Sequence, residues 1–309
     1  MIQSKYINIH PEVRQAIQSG KAVVALESAV ITHGLPYPEN MQLAHTAEEI
    51  VRQGNATPAT ISVIDGVIQV GISEEQLAQL CKVKNPRKIS ARDFGFAISH
   101  KLSGGTTVAG TMIAAHLAGI QVFSTGGIGG VHRDSYWDIS ADLPELSRTP
   151  MIVVCSGPKA ILDLPATMEY LETSGVLVVG YQTDELPAFY TRHSGIILDT
   201  RMDDPAEIAS TAKAQWEMGI KSALLVTQPP PHQMEPDSIW IEDQIQQAIK
   251  EAHLSGIHGP AMTPFLLDRM NFLTHGASMK TNLALLEQNA RLATEIACAA
   301  AGTVAAAQI

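Results

Sequence analysis

A glutamate and a lysine stand where buried segments of the chain end, and both residue types can carry catalytic chemistry. Glu27 follows the apolar run over residues 22–26. A carboxyl at the end of a buried strand loses part of its hydration, which raises its pKa toward the range that a general acid requires. The same position also suits a structural glutamate paired with a lysine or arginine, so this residue alone leaves both interpretations open.

Lys159 lies in the segment CSGPKAILDL, after a buried run over residues 151–155. Gly157 predicts a turn and Pro158 the first residue of a helix, whose amphipathic stretch covers residues 160–173. This places Lys159 in the first helical turn, where the helix dipole disfavours an ammonium by roughly 0.3–1 kcal/mol. The dipole would favour the neutral amine that a Schiff-base nucleophile needs. The alternative is an exposed lysine in a slightly unfavourable place.

Two carboxylates lie downstream of a glycine cluster over residues 126–130. Asp138 and Asp142 are four residues apart and His132 is nearby, so their oxygens and imidazole could hold Mg²⁺ or Mn²⁺. A helix-capping role for either aspartate is an equally good interpretation. The glycines do not fit GxGxxG and no Walker lysine follows, which argues against a nucleotide cofactor. They indicate instead a close approach of the backbone to a ligand or a neighbouring strand.

Two further polar residues stand at predicted helix starts. Thr107 precedes an alanine-rich helix, and the N–H groups and hydroxyls of such a start suit a phosphate. A plain capping role is the alternative. Asn282 stands at the head of the last predicted helix, where asparagine ordinarily caps.

Apolar runs rich in valine and isoleucine alternate with helical stretches along the chain. Their continuous hydrophobicity predicts strands that are covered on both faces. The predicted strands cover residues 22–26, 59–63, 121–123, 151–155, 176–179 and 223–226. The predicted helices cover residues 40–53, 107–118, 160–173, 205–218 and 282–300. This alternation predicts a single domain over residues 1–309, a three-layer α/β/α sandwich with a mixed, largely parallel central sheet.

The composition restricts the partners and the compartment. The net charge of −10 and the absence of a basic stripe argue against nucleic acid as a partner. The three cysteines have no CxxC spacing, which favours a reducing compartment. We expect a cytoplasmic protein with no membrane partner, because the first residues lack the apolar core of a signal peptide and the uncharged stretch over residues 296–309 is too short to span a bilayer.

Five long blocks resemble, in the same order, the pseudouridine-5′-phosphate glycosidases, also called the indigoidine synthase A family. They are VVALESAVITHGLPYPEN, TVAGTMIAAHLAGIQVFSTGGIGGVHR, DISADL, CSGPKAILDLPATMEYLET and GYQTDELPAFYTR. The resemblance implies an α/β/α sandwich that forms a homotrimer and uses Mn²⁺, with Mg²⁺ as the other candidate ion. It implies the reversible cleavage of the C1′–C5 bond of pseudouridine 5′-phosphate to uracil and ribose 5-phosphate.

Matching the blocks residue by residue assigns roles to individual side chains. The resemblance makes Glu27 the proton donor, Lys159 the Schiff-base nucleophile and Asp138 the metal ligand. Together with Thr107 at the helix start, it gives these substrate-binding residues: Lys88, Val108, Ser140, Ala141, Asp142 and Asn282.

The mechanism that this implies fits a carbon leaving group. Glu27 protonates the ring oxygen as the ribose opens, Lys159 adds at C1′, and protonation of uracil at C5 lets the C–C bond break. Two alternatives remain from the sequence. One is a related Schiff-base enzyme that acts on another phosphoribosylated compound or sugar phosphate, and the other is an inactive sugar-phosphate binder.

Overall fold

The computed structural model describes residues 5–133, 135–257 and 259–306, in which strands and helices alternate. The strands are β1 (Ile7–Ile9), β2 (Val23–Leu26), β3 (Thr57–Ile64), β4 (Val67–Val70), β5 (Arg87–Ile89), β6 (Gly104–Thr106), β7 (Val122–Ser124), β8 (Val131–His132), β9 (Ser135–Ile139), β10 (Ile152–Cys155), β11 (Leu162–Asp163), β12 (Leu177–Tyr181), β13 (Arg201–Met202) and β14 (Leu224–Thr227). The helices are α1 (Pro11–Gln18), α2 (Ala29–His33), α3 (Glu39–Gln53), α4 (Glu74–Cys81), α5 (Phe94–Ser99), α6 (Val108–Ala118), α7 (Asp142–Leu146), α8 (Leu164–Thr173), α9 (Pro205–Glu217), α10 (Ser238–Leu254), α11 (Met262–Leu273) and α12 (Ala277–Ala306).

One large sheet forms the centre of the molecule. Its described strands follow the order β1-β4-β3-β2-β7-β10-β14-β12-β13, and β6 with β5 branches from β3. From β3 to β13 all neighbouring strands are parallel, whereas β4 and β6 run antiparallel to β3. A separate small sheet has the order β11-β8-β9. The predicted mixed, largely parallel sheet is therefore confirmed, and all six predicted strands lie in it.

Alternate side chains of the central strands enter two apolar clusters, one on each face of the sheet. Ala25 belongs to the cluster that includes residues of α1, α5, α6 and α8. Val24 belongs to the cluster that includes residues of α3, α9 and α12. Both residues are completely buried. Helices therefore cover both faces of the sheet, which confirms the three-layer α/β/α sandwich.

Local sequence signals explain where the main helices begin and end. Thr107 caps α6 by accepting a hydrogen bond from the Gly110 N–H, and Gly119 ends the helix with a φ of +89°. Asp163 caps α8 in the same way, and Asp204 caps α9. These caps confirm the predicted capping role of Thr107.

Two predicted helix starts are wrong. The helix predicted over residues 160–173 begins only at Leu164, because the chain first forms β11 against β8 and Asp163 then provides the cap. The last helix begins at Ala277 and not at Asn282. Among the described helices, none combines the length and the apolar content that a membrane crossing requires.

Candidate active site

The carboxyl ends of three neighbouring parallel strands bring the predicted acid and nucleophile to one edge of the sheet. The strands β2, β7 and β10 are adjacent, with Leu26 opposite Ser124 and Ser124 opposite Val154. Glu27 directly follows β2, and Lys159 lies in the loop that follows β10. Ligands of open α/β sheets bind beyond this edge, so the position fits the predicted site.

The Glu27 carboxyl lies in surroundings that favour its protonated form. Burial raises its pKa, and the positive charge of Lys159 and a hydrogen bond from the Thr125 hydroxyl only partly offset that effect. The Thr125 hydroxyl donates to Oε1 of Glu27. A carboxyl with a raised pKa can act as a general acid near neutral pH.

The loop that carries Lys159 has a different backbone from the one predicted. Gly157 turns the chain with a φ of +85°, which glycine adopts without strain, and the Lys159 N–H then donates to the Ile128 carbonyl at 3.1 Å. Lys159 is therefore held in an irregular loop, four residues after the end of β10, and not in the first turn of a helix. Its amine therefore lies outside the first turn of α8, so the dipole of that helix does not account for a neutral amine.

Lys88 lies on β5, which pairs with β6 in the branch from β3, and the charges of the site act on it. Burial lowers its pKa, and the like charge of Lys159 lowers it further, while Asp142 and Glu27 act in the opposite direction. Glu27, Asp142 and Lys159 are far apart in the sequence, yet all three lie within electrostatic range of Lys88. The structure therefore places Glu27, Asp142 and Lys159 in the same region as Lys88, and their roles stay predictions.

Asp142 has both of its carboxylate oxygens occupied by backbone N–H groups. Oδ1 accepts from Ala109 at 2.9 Å, and Oδ2 accepts from Gly129 at 2.8 Å. Its own N–H donates to the Ser140 hydroxyl at 3.2 Å. Ala141, between Ser140 and Asp142 in the sequence, is exposed and directly precedes α7. The aspartate therefore joins the glycine-rich loop to the start of α6.

The start of α6 keeps one N–H group open. The Thr107 hydroxyl accepts from Gly110, and Asp142 accepts from Ala109. The Val108 N–H has no hydrogen-bond acceptor within residues 5–133, 135–257 and 259–306. An open N–H at a helix start can bind an anion, which agrees with a backbone contact at Val108.

Asp138 and His132 lie on the two paired strands β9 and β8. The negative charge of Asp138 raises the pKa of His132, but burial is the larger effect and, with Lys88 and Lys159, keeps that pKa below its usual value. A carboxylate and a neutral imidazole are thus close together. Within the part of the chain that is described, no group of three or more His, Cys, Asp and Glu side chains could hold a metal ion.

Asn282 approaches the site from the long helix α12. It is the sixth residue of that helix and not its cap, which corrects the predicted capping role. Its Oδ1 lies 3.4 Å from the place that a Cβ on Gly126 would occupy. The helix therefore directs Asn282 toward the loop after β7, next to Thr125.

Three residues near the site have no role in the sequence-based prediction. Thr125 and Asn289 form buried hydrogen bonds around the strand ends. His33 lies with Nε2 3.1 Å from the Pro86 carbonyl, and burial and the charge of Lys88 lower its pKa. The position of Thr125 directly after a buried strand was a usable signal. Asn289 gave none, because its partners are more than 130 residues away.

A separate groove of about 590 Å³ lies beside the segment that follows Lys159. Ala160 and Leu162 line it, together with the ion pair between Arg133 and Glu242. The residues that converge on the strand ends do not contribute to its lining. This groove is therefore distinct from the candidate active site.

The comparisons with known proteins agree over almost the whole chain. The sequence profile described as Indigoidine synthase A like protein matches residues 12–299. A pseudouridine-5′-phosphate glycosidase from Solibacter usitatus is 51% identical over 294 residues, which cover 94% of this chain and 98% of that protein. The protein of the same name from Caldanaerobacter subterraneus subsp. tengcongensis is 49% identical over 296 residues, 95% of this chain and 96% of that protein.

Solved structures show the same similarity in three dimensions. The prealnumycin C-glycosynthase AlnA, in complex with ribulose 5-phosphate, matches with a TM-score of 0.90 at 38% identity, over 98% of this chain and 100% of that chain. An indigoidine synthase A-like protein from Thermotoga maritima matches with a TM-score of 0.88 at 35% identity, over 96% of this chain and 98% of that chain.

Proposed function

The chain belongs to the indigoidine synthase A-like family, and from that premise we propose that it is a pseudouridine-5′-phosphate glycosidase. The reaction is the reversible cleavage of the C1′–C5 bond of pseudouridine 5′-phosphate, with water, to uracil and ribose 5-phosphate. The observation that carries the proposal is that Glu27 and Lys159 follow the ends of β2 and β10 at one edge of the sheet, with Lys88 within electrostatic range of both. An acid, a cation for the phosphate and an amine nucleophile are the groups that this reaction requires.

In the proposed mechanism, Glu27 starts as the protonated acid and gives its proton to the ring oxygen as the C1′–O bond breaks. The Lys159 amine adds to C1′ of the opened sugar and forms a C–N bond. The added nitrogen loses a proton and uracil gains one at C5, after which the C1′–C5 bond breaks and its electrons remain with uracil. The nitrogen lone pair forms the imine, and water releases ribose 5-phosphate from Lys159. A ring-opened intermediate is needed because uracil is joined to C1′ through carbon. The bond between them has no heteroatom whose protonation would let the base leave.

Phosphate binding is assigned to Lys88 and the start of α6. The Val108 N–H is open, and Thr107 and Asp142 hold the first helical turn by accepting the neighbouring N–H groups. An open N–H at a helix start and a partly buried ammonium together suit a dianionic group. Ser140 contacts Asp142, and Asn282 lies close to Gly126; together with Ala141 they are proposed as further substrate contacts.

We propose that Asp138 holds Mn²⁺, or alternatively Mg²⁺, with His132 as a neighbour. The fit rests on the partly buried carboxylate of Asp138 beside His132, whereas the Asp142 oxygens are already occupied. An ion held by so few protein groups completes its shell with water and substrate oxygens. When bound, such an ion would supply positive charge to the site. Replacing Asp138 with asparagine should weaken Mn²⁺ binding, which electron paramagnetic resonance of the free ion measures without any substrate.

A related activity on another phosphoribosylated compound is the second candidate. The structural match to a C-glycosynthase in complex with ribulose 5-phosphate supports it, since that enzyme is also named for a C-glycosidic bond and also binds a sugar phosphate. The higher identity to the glycosidases favours the first candidate. Both candidates require the same acid and the same lysine, so an inactive sugar-phosphate binder is the weakest interpretation.

Three further properties are proposed on the same basis. The continuity of the sheet from β1 to β13 supports a single domain over residues 1–309. Family membership supports a homotrimer. The three cysteines are free thiols, which agrees with a cytoplasmic location.

The direct test is to incubate the protein with pseudouridine 5′-phosphate and Mn²⁺ and to measure uracil release, and then to run the reverse reaction from uracil and ribose 5-phosphate. Uridine 5′-phosphate, whose base is attached through nitrogen, and unphosphorylated pseudouridine are the controls. Uracil released selectively from pseudouridine 5′-phosphate supports the proposal. Equal turnover of the controls, or none of any substrate, would exclude it.

A further inference from the structure

Thr125 and Glu27 occupy equivalent positions on neighbouring strands. Each directly follows the last residue of its strand, and those last residues, Ser124 and Leu26, lie opposite each other in parallel register. The Thr125 side chain is completely buried, and its hydroxyl donates a hydrogen bond to Oε1 of Glu27. The strand register therefore places a single hydroxyl against one of the two carboxyl oxygens.

The direction of this hydrogen bond is fixed by the surroundings. Within the described residues, the Thr125 hydroxyl has no acceptor for its proton other than Glu27. If Glu27 donated to Thr125 instead, the hydroxyl proton would remain buried without a partner, which costs about 1–3 kcal/mol. The hydroxyl therefore donates to Oε1, and a protonated Glu27 carries its proton on Oε2.

The backbone of Thr125 is held on both sides, so its hydroxyl has a fixed position. The Thr125 N–H donates to the Val154 carbonyl at 3.0 Å, and the Thr125 carbonyl accepts from Nδ2 of Asn289 at 3.0 Å. Asn289 is itself completely buried, and its Nδ2 also lies 3.1 Å from the hydroxyl of Ser156, at the start of the loop that carries Lys159. Asn289 thus connects the loop that contains Thr125 with the loop that contains Lys159.

We propose that Thr125 is a positioning residue that occupies Oε1 of Glu27 and so makes Oε2 the oxygen that holds and delivers the catalytic proton. The identity of the proton acceptor rests on the proposed function, whereas the protonation geometry of Glu27 does not. The Thr125 hydrogen bond also lowers the pKa of Glu27, against the larger effect of burial. Removal of the hydroxyl should therefore raise that pKa and let the carboxyl rotate.

The test compares Thr125→Val, which keeps the shape and loses the hydroxyl, with Thr125→Ser, which keeps the hydroxyl. The matched control is Thr227→Val, because Thr227 is equally buried and donates to the Val179 carbonyl at 3.0 Å. The readout is the infrared C=O band of protonated Glu27, assigned by its loss in Glu27→Gln, as a function of pH. The pH profile of kcat for pseudouridine 5′-phosphate is the second readout.

We expect the band of Thr125→Val to disappear at a higher pH than in the wild type, with the midpoints of Thr125→Ser and Thr227→Val unchanged. The alkaline limb of kcat should move in the same direction, while kcat itself falls about 10- to 100-fold. An unchanged midpoint in Thr125→Val, or an equal shift in Thr227→Val, would overturn the proposal. Because the infrared titration needs no turnover, it decides the role of Thr125 even if the wild type leaves pseudouridine 5′-phosphate intact, a result that would exclude only the proposed function.

Discussion

Asp142 accepts the backbone N–H of Gly129 through Oδ2 at 2.8 Å, and this bond joins two segments that flank the candidate active site. Its other oxygen accepts from Ala109 at the start of α6. A carboxylate with two backbone donors fixes both partners, and hydrogen bonds to a charged acceptor are stronger than neutral ones. Asp142 therefore shapes the site in addition to any contact it makes with substrate.

Replacement of Asp142 with asparagine should be far more damaging than its small change in shape suggests. The amide can accept only through its oxygen, so the N–H of Ala109 or Gly129 faces an NH₂ group and remains unpaired. We expect a loss of about 1–3 kcal/mol in the free energy of unfolding, measured by urea denaturation. The control is Asp204→Asn, because asparagine caps α9 as well as aspartate does. Equal stability of the two variants would contradict this role.

The glycine at position 129 should not tolerate a side chain. A Cβ there would overlap the Ser140 side chain and lie 2.8 Å from Oδ2 of Asp142. We expect Gly129→Ala to lower both the melting temperature and the activity. In Gly95→Ala the Cβ meets nothing within 4 Å, and the change should stabilise α5 by up to about 1 kcal/mol. Differential scanning calorimetry of both variants tests this, and a Gly129→Ala variant as stable as the wild type would refute the packing argument.

Lys88 should act on the binding of the phosphate and much less on the chemical step. Its partly buried ammonium faces the site, so Lys88→Met should raise KM for pseudouridine 5′-phosphate about 10- to 100-fold, with a smaller change in kcat. Lys84 is an exposed lysine of the same segment, and Lys84→Met should leave both constants unchanged. Steady-state kinetics on the two variants are sufficient. A fall in kcat at constant KM would assign Lys88 to another step.

The raised pKa of Glu27 should make the free energy of unfolding depend on pH. The pKa of Glu27 in the folded protein lies above the unfolded value of 4.5. Its contribution to the free energy of unfolding is therefore fully present below pH 4.5. It is lost as pH rises through the folded-state pKa. The melting temperature of the wild type should therefore fall relative to that of Glu27→Gln as pH rises from about 4 to 8. A difference between the two proteins that stays constant with pH would show that burial does not raise this pKa.

Much of the fold follows from the sequence because the central strands are buried on both faces. Continuous valine and isoleucine runs predicted six strands, and each predicted end lies within two residues of the observed one. These strands are β2, β3, β7, β10, β12 and β14. The short strands β5 and β6 of the branch carry too few apolar residues to be predicted. Helix α10 was not assigned, although Ile241, Ile245 and Ala248 are buried at helical spacing.

The candidate site was predictable in its residues but not in its backbone. Glu27 and Lys159 follow buried strands, which is a local signal. The irregular loop of Lys159 depends on Ile128, whose backbone pairs with Pro158 from another segment. Contacts of that kind override the local preference of proline for a helix start, so the helix predicted from residue 160 begins later.

The central claim is that Lys159 forms an imine with the sugar, and borohydride trapping tests it most directly. The protein is mixed with ribose 5-phosphate and Mn²⁺, reduced, digested and analysed by mass spectrometry. We predict a stable adduct on the peptide that contains Lys159, and its loss in Lys159→Ala while Lys84→Met is labelled normally. Turnover of pseudouridine 5′-phosphate by a protein that forms no adduct at Lys159 would contradict the mechanism.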